Sequence, residues 1–229
     1  MGAQALQGSD VTTARAAWRE FRRKRAPWLI ATAIAAAIAA RLAIGAPTWR
    51  DAAAVAFMLV VYPFGEWAIH VHLLHLRPFR VRGRRIDLVS ARAHRAHHED
   101  PHRLDLINFS APEALAILLL AAPSAVGIGA ALASLIPGPL PAGPFVTMLL
   151  TGYALVGIYE WTHFLIHTAH RPRSRYYKSI WRNHRLHHFK NERYWHGITN
   201  TVSDRVLGTF PDQRQVRRSG TVRALHSDG

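Results

Sequence analysis

The chain has 229 residues, with 29 Lys and Arg against 14 Asp and Glu, which gives a formal net charge of +15. Because 49% of the residues are hydrophobic, the composition excludes a disordered chain. Cysteine is absent, which excludes disulfides, thiolate metal sites, iron–sulfur clusters and cysteine nucleophiles. Of the 15 histidines, 14 lie in the stretches His70–His102 and His163–His196, and this clustering indicates sites.

Two apolar segments in the first third of the chain predict membrane-spanning helices. The first lies between Arg25 and Arg50 and carries Arg41 as its only charge, near the far end, where it can snorkel to the interface. The second runs from Ala52 to Leu76 and is interrupted by Glu66 and by three histidines. Its apolar part alone is short for a span.

Two further spans are predicted in the second half. Ala114 to Ile136 is uncharged, and a capping box with an early proline, Ser110 to Glu113, precedes it. After a proline-rich turn at Pro137–Pro141, the fourth span begins at Phe145 and runs into Glu160, His163 and His167. The second and fourth spans are therefore built alike, with an apolar part followed by histidines.

The positive charges predict the orientation. With both termini in the cytoplasm, the outer loops are Pro47–Asp51 and Pro137–Ala142, which leaves 27 of the 29 Lys and Arg inside. The basic run at 22–25 fits this orientation; it could also begin a cleaved signal peptide, but no clear cleavage site follows. We expect the charge to attract anionic lipid and not nucleic acid. Segments 77–109 and 171–229 then share the cytoplasmic face.

The two halves of the chain repeat one pattern. A Glu-Trp pair, Glu66-Trp67 or Glu160-Trp161, is followed by histidines at a helix end and then by HRxHH. We expect both tryptophans to be interfacial aromatics. Each glutamate either fixes the tautomer of a histidine through its second nitrogen or snorkels to the interface, and the sequence does not decide between these roles.

The spacing places most of these histidines on shared helix faces. Residues i, i+3 and i+4 lie on one face, so each HRxHH can present three rings together, and His163 and His167 can present two. His70 and His75 would lie about 140° apart on an ideal helix, and His72 faces His75 better. Spacing alone therefore leaves the choice among these three residues open.

So many imidazoles together predict bound metal. Neutral rings would leave lone pairs unsatisfied and protonated rings would repel one another, whereas a cation resolves both problems. Iron, copper, zinc and nickel suit imidazole ligands. Ten ligands are too many for one ion, so we expect two metals with about five histidines each, in two equivalent halves, and with open positions of the kind that oxygen chemistry requires.

The histidine boxes resemble those of the fatty acid hydroxylase and sterol desaturase superfamily of integral-membrane di-iron enzymes, from about Ala52 to Pro211. The segments 190–192, 196–200 and 204–209 resemble the closing pattern of the fatty acid hydroxylase branch. The resemblance selects His70 over His72. It implies ten metal ligands: His70, His75, His94, His97, His98, His163, His167, His184, His187 and His188.

The resemblance also implies the fold and the activity. We expect an all-α integral membrane protein with four transmembrane helices and a cytoplasmic helical cap that holds a dinuclear site. Two iron ions, replaceable by zinc, would use O2 to hydroxylate an acyl chain of a fatty acid or membrane lipid. No electron-transfer domain is fused, so the donor is expected to be a separate protein, of the cytochrome b type or a ferredoxin with its reductase.

Several residues remain candidates for an outer role or an extra ligand: Glu66, Glu160, His72, His196 and Asn200. His196 stands where the branch usually has an aromatic residue. Tyr153, Tyr159 and Phe164 either line a substrate groove or pack between helices. We divide the chain into a basic N-terminal segment (1–25), a hydroxylase-like membrane domain (26–211) and a polar tail (212–229).

Two alternative functions remain open. A desaturase, or a sterol, hopanoid or carotenoid oxidase, would use the same metal core. A metal-transport or metal-storage protein is the alternative from another class, although transporters usually place polar ligands near the middle of a span. The apolar parts of all four predicted spans are nearly free of such ligands.

Overall fold

The structure is a computed structural model that describes residues 6–124, 126–127 and 142–225. It is mostly helical, as the sequence predicts. The α-helices are α1 (Ala14–Phe21), α2 (Ala26–Ile44), α3 (Trp49–Ala68), α4 (Val89–Glu99), α5 (Ala111–Ala116), α6 (Ala142–Ile166), α7 (Arg175–Phe189) and α8 (Val202–Val206). The structure also contains two 3₁₀ turns, Gly8–Asp10 and Leu104–Leu106, and two π-helical segments, Ile69–Leu74 and Ile117–Ala121. Residues 122–124 and 126–127 are helical as well.

Four helical stretches are long and apolar enough to cross a membrane, which confirms the four predicted spans. They are Ala26–Ile44, Trp49–Leu74, Leu104–Ser124 and Ala142–Ile166. The second is longer than its apolar part suggests, because α3 continues through Pro63 and into the π-helical segment. The predicted end of the third span at Ile136 and the turn at Pro137–Pro141 lie outside the described residues.

The chain forms two compact units. The histidine unit contains Met1–Glu20, Pro63–Asn108 and Trp161–Gly229, and the hairpin unit contains Phe21–Tyr62 and Phe109–Glu160.

Within the hairpin unit, Arg41 is buried and paired. Its side chain is buried and donates from Nε to Asp51 Oδ1 at 2.9 Å and to Thr147 Oγ1 at 3.1 Å. Thr147 also donates to Asp51 at 2.6 Å, and Asp51 accepts from the backbone N–H of Thr48 just before α3. The sequence analysis left Arg41 without a partner, whereas the start of the next helix brings a carboxylate to the guanidinium.

The capping box predicted before the third span is present. Ser110 accepts from the backbone N–H of Glu113, and the Glu113 carboxylate accepts from the backbone N–H of Ser110 at 2.9 Å. Tyr153 donates to the carbonyl of Leu118, and Tyr159 stacks on Phe109 with ring centroids 5.7 Å apart. Both tyrosines therefore make packing contacts between the helices of the hairpin unit.

A short β-hairpin that the sequence analysis did not predict lies in the histidine unit. Strand β1 (Phe79–Val81) pairs antiparallel with β2 (Arg84–Ile86), and Arg82 and Gly83 form the turn with φ of 48° and 78°. Positive φ at both turn residues matches the twist of the strands. The apolar core of this unit includes Leu104, Phe164, Ile166, Ile180, Trp195 and Ile198.

Candidate metal centre

The π-helical segment brings His70 and His75 together. The backbone N–H of His75 bonds to the carbonyl of His70 at 3.2 Å, five residues back, and the two rings lie 5.0 Å apart. This wider turn removes the separation that an ideal α-helix would impose on residues five apart. His70 is 1% exposed, whereas His72 is exposed on the other side of the segment.

Helices α4 and α7 present the two HRxHH clusters to the same interior. Both helices carry arginine on the opposite side and histidine on the buried side, and all six cluster histidines are buried. His163 lies in the last turn of α6, and His167 follows one residue after its end. All the histidines that the sequence singles out as ligands therefore lie in the histidine unit.

The ten rings form two groups of five. In each group, five ligand atoms lie within 4.8 Å of one another. Metal–imidazole bonds of about 2.1 Å place opposite ligand atoms about 4.2 Å apart, so each group is close to the size that one ion needs. The first group is His70, His75, His94, His98 and His187, and the second is His97, His163, His167, His184 and His188.

The two groups do not follow the two repeats. His97, from the first repeat, completes the second group, and His187, from the second repeat, completes the first. The two groups of five are therefore not the two repeats. On a helix, positions 94 and 98 differ by about 40° and positions 97 and 98 by about 100°, so the middle histidine of each HRxHH can project towards the other group.

The groups adjoin one another. The rings of His98, in the first group, and His188, in the second, have centroids 4.1 Å apart. His97 lies 6.2 Å from His98, its neighbour in sequence and a member of the other group. Two ions held in these groups would be neighbours in a single centre.

Backbone carbonyls orient the rings of the first group. The Nδ1 atoms of His70, His98 and His187 lie 2.6, 3.1 and 2.9 Å from the carbonyl oxygens of His196, Val222 and Tyr194, respectively. A carbonyl only accepts, so Nδ1 of each ring carries the proton. The Nε2 atom of each ring is then unprotonated and has a lone pair that can bind a metal ion.

Two of these lone pairs, those of His98 and His187, face one another. Nε2 of His187 lies 3.2 Å from Nε2 of His98, and Nε2 of His70 lies 3.2 Å from Nε2 of His94. His98 and His187 both have Nδ1 as donor, so no hydrogen bond can join their Nε2 atoms, and two acceptors in contact repel. A cation between them removes this repulsion, and the residues therefore fit a bound metal ion.

The second group has the same shortage of partners. His184 Nε2 lies 3.0 Å from Nε2 of both His167 and His188, and neither ring nitrogen of His97 has a hydrogen-bond partner among the described residues. Burial, reinforced by neighbouring histidines, holds the pKa of His97 and His184 well below the usual range. Their neutral rings offer lone pairs to a metal ion.

Glu66 holds a loop and does not bond to the second nitrogen of His70, so the tautomer-fixing role, one of the two that the sequence left open, does not apply to this pair. Its Oε1 accepts from the backbone N–H of Ile198 at 2.5 Å and of Thr199 at 2.9 Å, and its Oε2 accepts from the Thr199 hydroxyl. The nitrogen in question instead meets the carbonyl of His196, in the same loop. In the hairpin unit, Glu160 accepts from the backbone N–H of Phe109 at 3.2 Å.

Asp204 holds the other side of this loop. It is fully buried, and its two oxygens accept from the backbone N–H groups of His196 at 3.0 Å and Gly197 at 2.8 Å. Oδ1 also accepts from the Thr209 hydroxyl at 2.6 Å. The DRVLGT segment thus fixes the carbonyl that orients His70.

The other candidate residues and histidines that the structure describes belong to neither group. His196 packs against His70, His75 and His187, with centroids 5.1 to 5.6 Å away, and belongs to neither group. Asn200 accepts from the backbone N–H of Val202 at the start of α8. His102 stacks on Phe189 and His170 on Tyr177, while His226 lies outside the described residues.

Sequence reasoning missed the parts of the chain that support the rings through the backbone. Gly8 donates to the carbonyl of His102 at 2.7 Å and accepts from Ala169 at 2.8 Å, so the N-terminal segment lies against the end of α6. Glu192 is buried and accepts from Ser219 and Thr221, next to the carbonyl of Val222 that orients His98. No side-chain pattern marks a backbone carbonyl as functional.

The comparisons with known proteins agree with this site. The model of the fatty acid hydroxylase family matches residues 55–209. The dihydroceramide fatty acyl 2-hydroxylase FAH2 of Arabidopsis thaliana is 27% identical over 157 residues, which cover 69% of this chain and 60% of the relative. No solved structure matches the chain. The family match covers more than half of the chain and confirms the predicted resemblance: the chain belongs to the fatty acid hydroxylase family.

Proposed function

We propose that the protein is a membrane-bound di-iron oxygenase that hydroxylates an acyl chain of a fatty acid or membrane lipid, with O2 and an external electron donor. The observation that carries the proposal is the pair of five-histidine groups; in the first group the Nε2 lone pairs of His98 and His187 face one another without a hydrogen between them. Bound iron would supply the redox chemistry that reduces O2 and inserts one oxygen atom into a C–H bond.

The protein supplies the geometry of the site. The ten rings are the proposed ligands, and the carbonyls of Tyr194, His196 and Val222 hold the proton of three of them on Nδ1. This leaves Nε2 free to bind a metal ion. His98, His184, His187 and His188 are fully buried, so their side chains keep bulk water away from the site.

The acyl-chain substrate rests on the family and on the four apolar helices. The relative is named for the 2-position of the fatty acyl group of dihydroceramide, and the chain spans only 60% of its length. For this protein we propose an acyl chain as the substrate, but we do not carry over the 2-position as the hydroxylated carbon. From the charge asymmetry we also propose that both termini and the histidines lie on the cytoplasmic side, and that residues 26–211 form the catalytic membrane domain.

The test is a reaction with labelled O2. Purified protein loaded with iron, supplied with membrane lipids and a reductase system, is expected to produce an acyl chain that carries one labelled oxygen atom. His187→Ala is expected to abolish this product, while His72→Ala, which changes an exposed residue outside both groups, retains it. Label from water, or a product that has lost two hydrogens without gaining oxygen, contradicts hydroxylation; the latter result indicates a desaturase.

A further inference from the structure

A cationic cleft lies beside the second histidine group. Its volume is about 920 Å³, and its lining includes five cations, Arg171, Arg175, Lys178, Arg182 and Arg185, together with His167 and Trp181. No Asp or Glu in the described part of the chain lines it. Among the described residues, none of the five cations forms an ion pair. The cleft therefore presents unneutralised positive charge next to a proposed metal ligand.

Helix α7 carries the cleft and the metal groups on opposite faces. At about 100° per residue, positions 175, 178, 182 and 185 centre on one side of the helix, and positions 184, 187 and 188 on the other. The histidines are buried, whereas Arg175, Lys178 and Arg182 are exposed. The cations of the cleft and the metal groups are therefore separated by about the width of one helix.

Two residues of the cleft reach towards the site. His167 belongs to the second group, and its ring lies 5.0 Å from that of His184. Trp181 lies between the two faces of α7, and the Arg185 guanidinium lies over its ring at 4.8 Å. The buried Nε1 of Trp181 has no hydrogen-bond partner in the described part of the chain.

The proposed reaction needs electrons from outside the protein. When one atom of O2 enters a C–H bond, the other leaves as water, and the balance requires two electrons and two protons for each product. A donor must therefore bring its redox group close to the histidines. Electron-transfer complexes have small interfaces, and complementary charge raises their rate of association.

We propose that the cationic cleft is the docking surface for an acidic electron-transfer protein, and this proposal rests on the proposed function. The four cations of α7 extend over about 15 Å of helix, which exceeds the size of one phosphate group and suits the acidic face of a small protein. An anionic lipid could bind the same cations, but lipid binding does not require the cationic surface to lie next to a metal group.

The test compares two triple charge reversals that change the net charge equally. The cleft variant is Arg175→Glu, Lys178→Glu and Arg182→Glu; the control is Arg80→Glu, Arg84→Glu and Arg85→Glu on the exposed β-hairpin of the same unit. Iron-loaded full-length protein in phosphatidylcholine nanodiscs is titrated with an acidic [2Fe–2S] ferredoxin and with an acidic soluble cytochrome b domain. Glutamine versions of the three cleft substitutions are measured as well, in case the reversal disturbs folding.

We expect at least one donor to bind, with a Kd that rises about tenfold or more in the cleft variant and less than about twofold in the control. The difference should vanish near 1 M salt, where the Debye length is about 3 Å. The second readout is the rate of lipid hydroxylation driven by the donor, divided by the single-turnover yield of dithionite-reduced protein. This ratio should fall only in the cleft variant.

Three results overturn the docking proposal: neither donor binds, both variants weaken binding equally, or the cleft variant loses affinity only for phosphatidylserine vesicles. The third result would assign the cleft to a lipid surface. If dithionite-reduced wild-type protein gives no hydroxylated lipid, the proposed function fails, while the Kd values still decide the docking question.

Discussion

The Nε2 atoms of His98 and His187 lie 3.2 Å apart, although Nδ1 of each ring already meets a backbone carbonyl. The two residues come from different repeats, 89 positions apart in the chain. Their contact therefore joins the two histidine clusters in one centre. Because both Nε2 atoms are unprotonated, a cation between them would remove their repulsion.

Asp204→Asn should weaken metal binding by about 10- to 100-fold, the range seen when residues that support metal ligands are changed. The Asp204 carboxylate now accepts hydrogen bonds from the backbone N–H groups of His196 and Gly197. In the variant, the asparagine NH2 group would face one of these N–H groups, donor against donor. The loop would shift, and with it the carbonyl that orients His70. Competition with a chelator of known affinity measures the change. Asp212→Asn, at an exposed position, is the matched control; equal effects of both substitutions would argue against this role of Asp204.

Gly8→Ala should destabilise the protein by about 1–3 kcal/mol through overpacking. An added Cβ would lie 1.9 Å from the carbonyl oxygen of His167, so the N-terminal segment must move away from the end of α6. Gly220→Ala is the control, because nothing lies within 4 Å of a Cβ at that position. Thermal unfolding of the two variants measures the difference, and equal melting temperatures would show that the N-terminal contact is not formed.

Most of the proposed ligand set was predictable from the sequence because the repeat marks it, whereas the choice of His70 over His72 came from the family resemblance. HRxHH occurs twice, and the helix period alone places three rings of each cluster on one side. The capping box at Ser110 and Glu113 was likewise local chemistry, with both partners within one turn.

The sequence could not reveal how the rings are grouped and held. The π-helical segment that joins His70 and His75 is defined by backbone hydrogen bonds, and no side-chain pattern distinguishes it from a regular helical turn. The carbonyls that orient His70 and His98 come from residues more than 120 positions away. The Arg41–Asp51 pair was missed because each charge was judged within its own segment.

Acid should destabilise the metal-free protein. Burial lowers the pKa of His98 from 6.5 to about 3, and it lowers the pKa of His94, His187 and His188 well below 6.5. The unfolded chain therefore binds more protons than the folded chain below about pH 6.5, so stability falls as the pH drops from there towards 3. Each of these histidines lowers the free energy of unfolding by up to about 1.4 kcal/mol for each pH unit in this range. Melting temperatures of chelator-treated protein at pH 7.5 and 5.5 test the sign; a higher value at pH 5.5 contradicts it.

Reporter fusions test the proposed orientation. Fusions after Pro47, Arg80, Pro139 and Arg171 should report outside, inside, outside and inside, because the positive charges flank the inner ends of the spans. The histidine clusters also require the second and fourth reporters to lie on one side of the membrane. Opposite sides for Arg80 and Arg171 would exclude a single metal centre.

The exchange of His97 and His187 between the groups is tested most directly by counting metal ions in double variants. His98→Ala with His187→Ala removes two ligands from the first group and none from the second, so purified protein should keep about one metal ion per chain where wild type holds about two. His97→Ala with His98→Ala removes one ligand from each group and should weaken both sites together, as titration with a chelator would show. If the second pair instead removes one ion cleanly and the first pair weakens both sites, each repeat binds its own ion and the exchange is wrong.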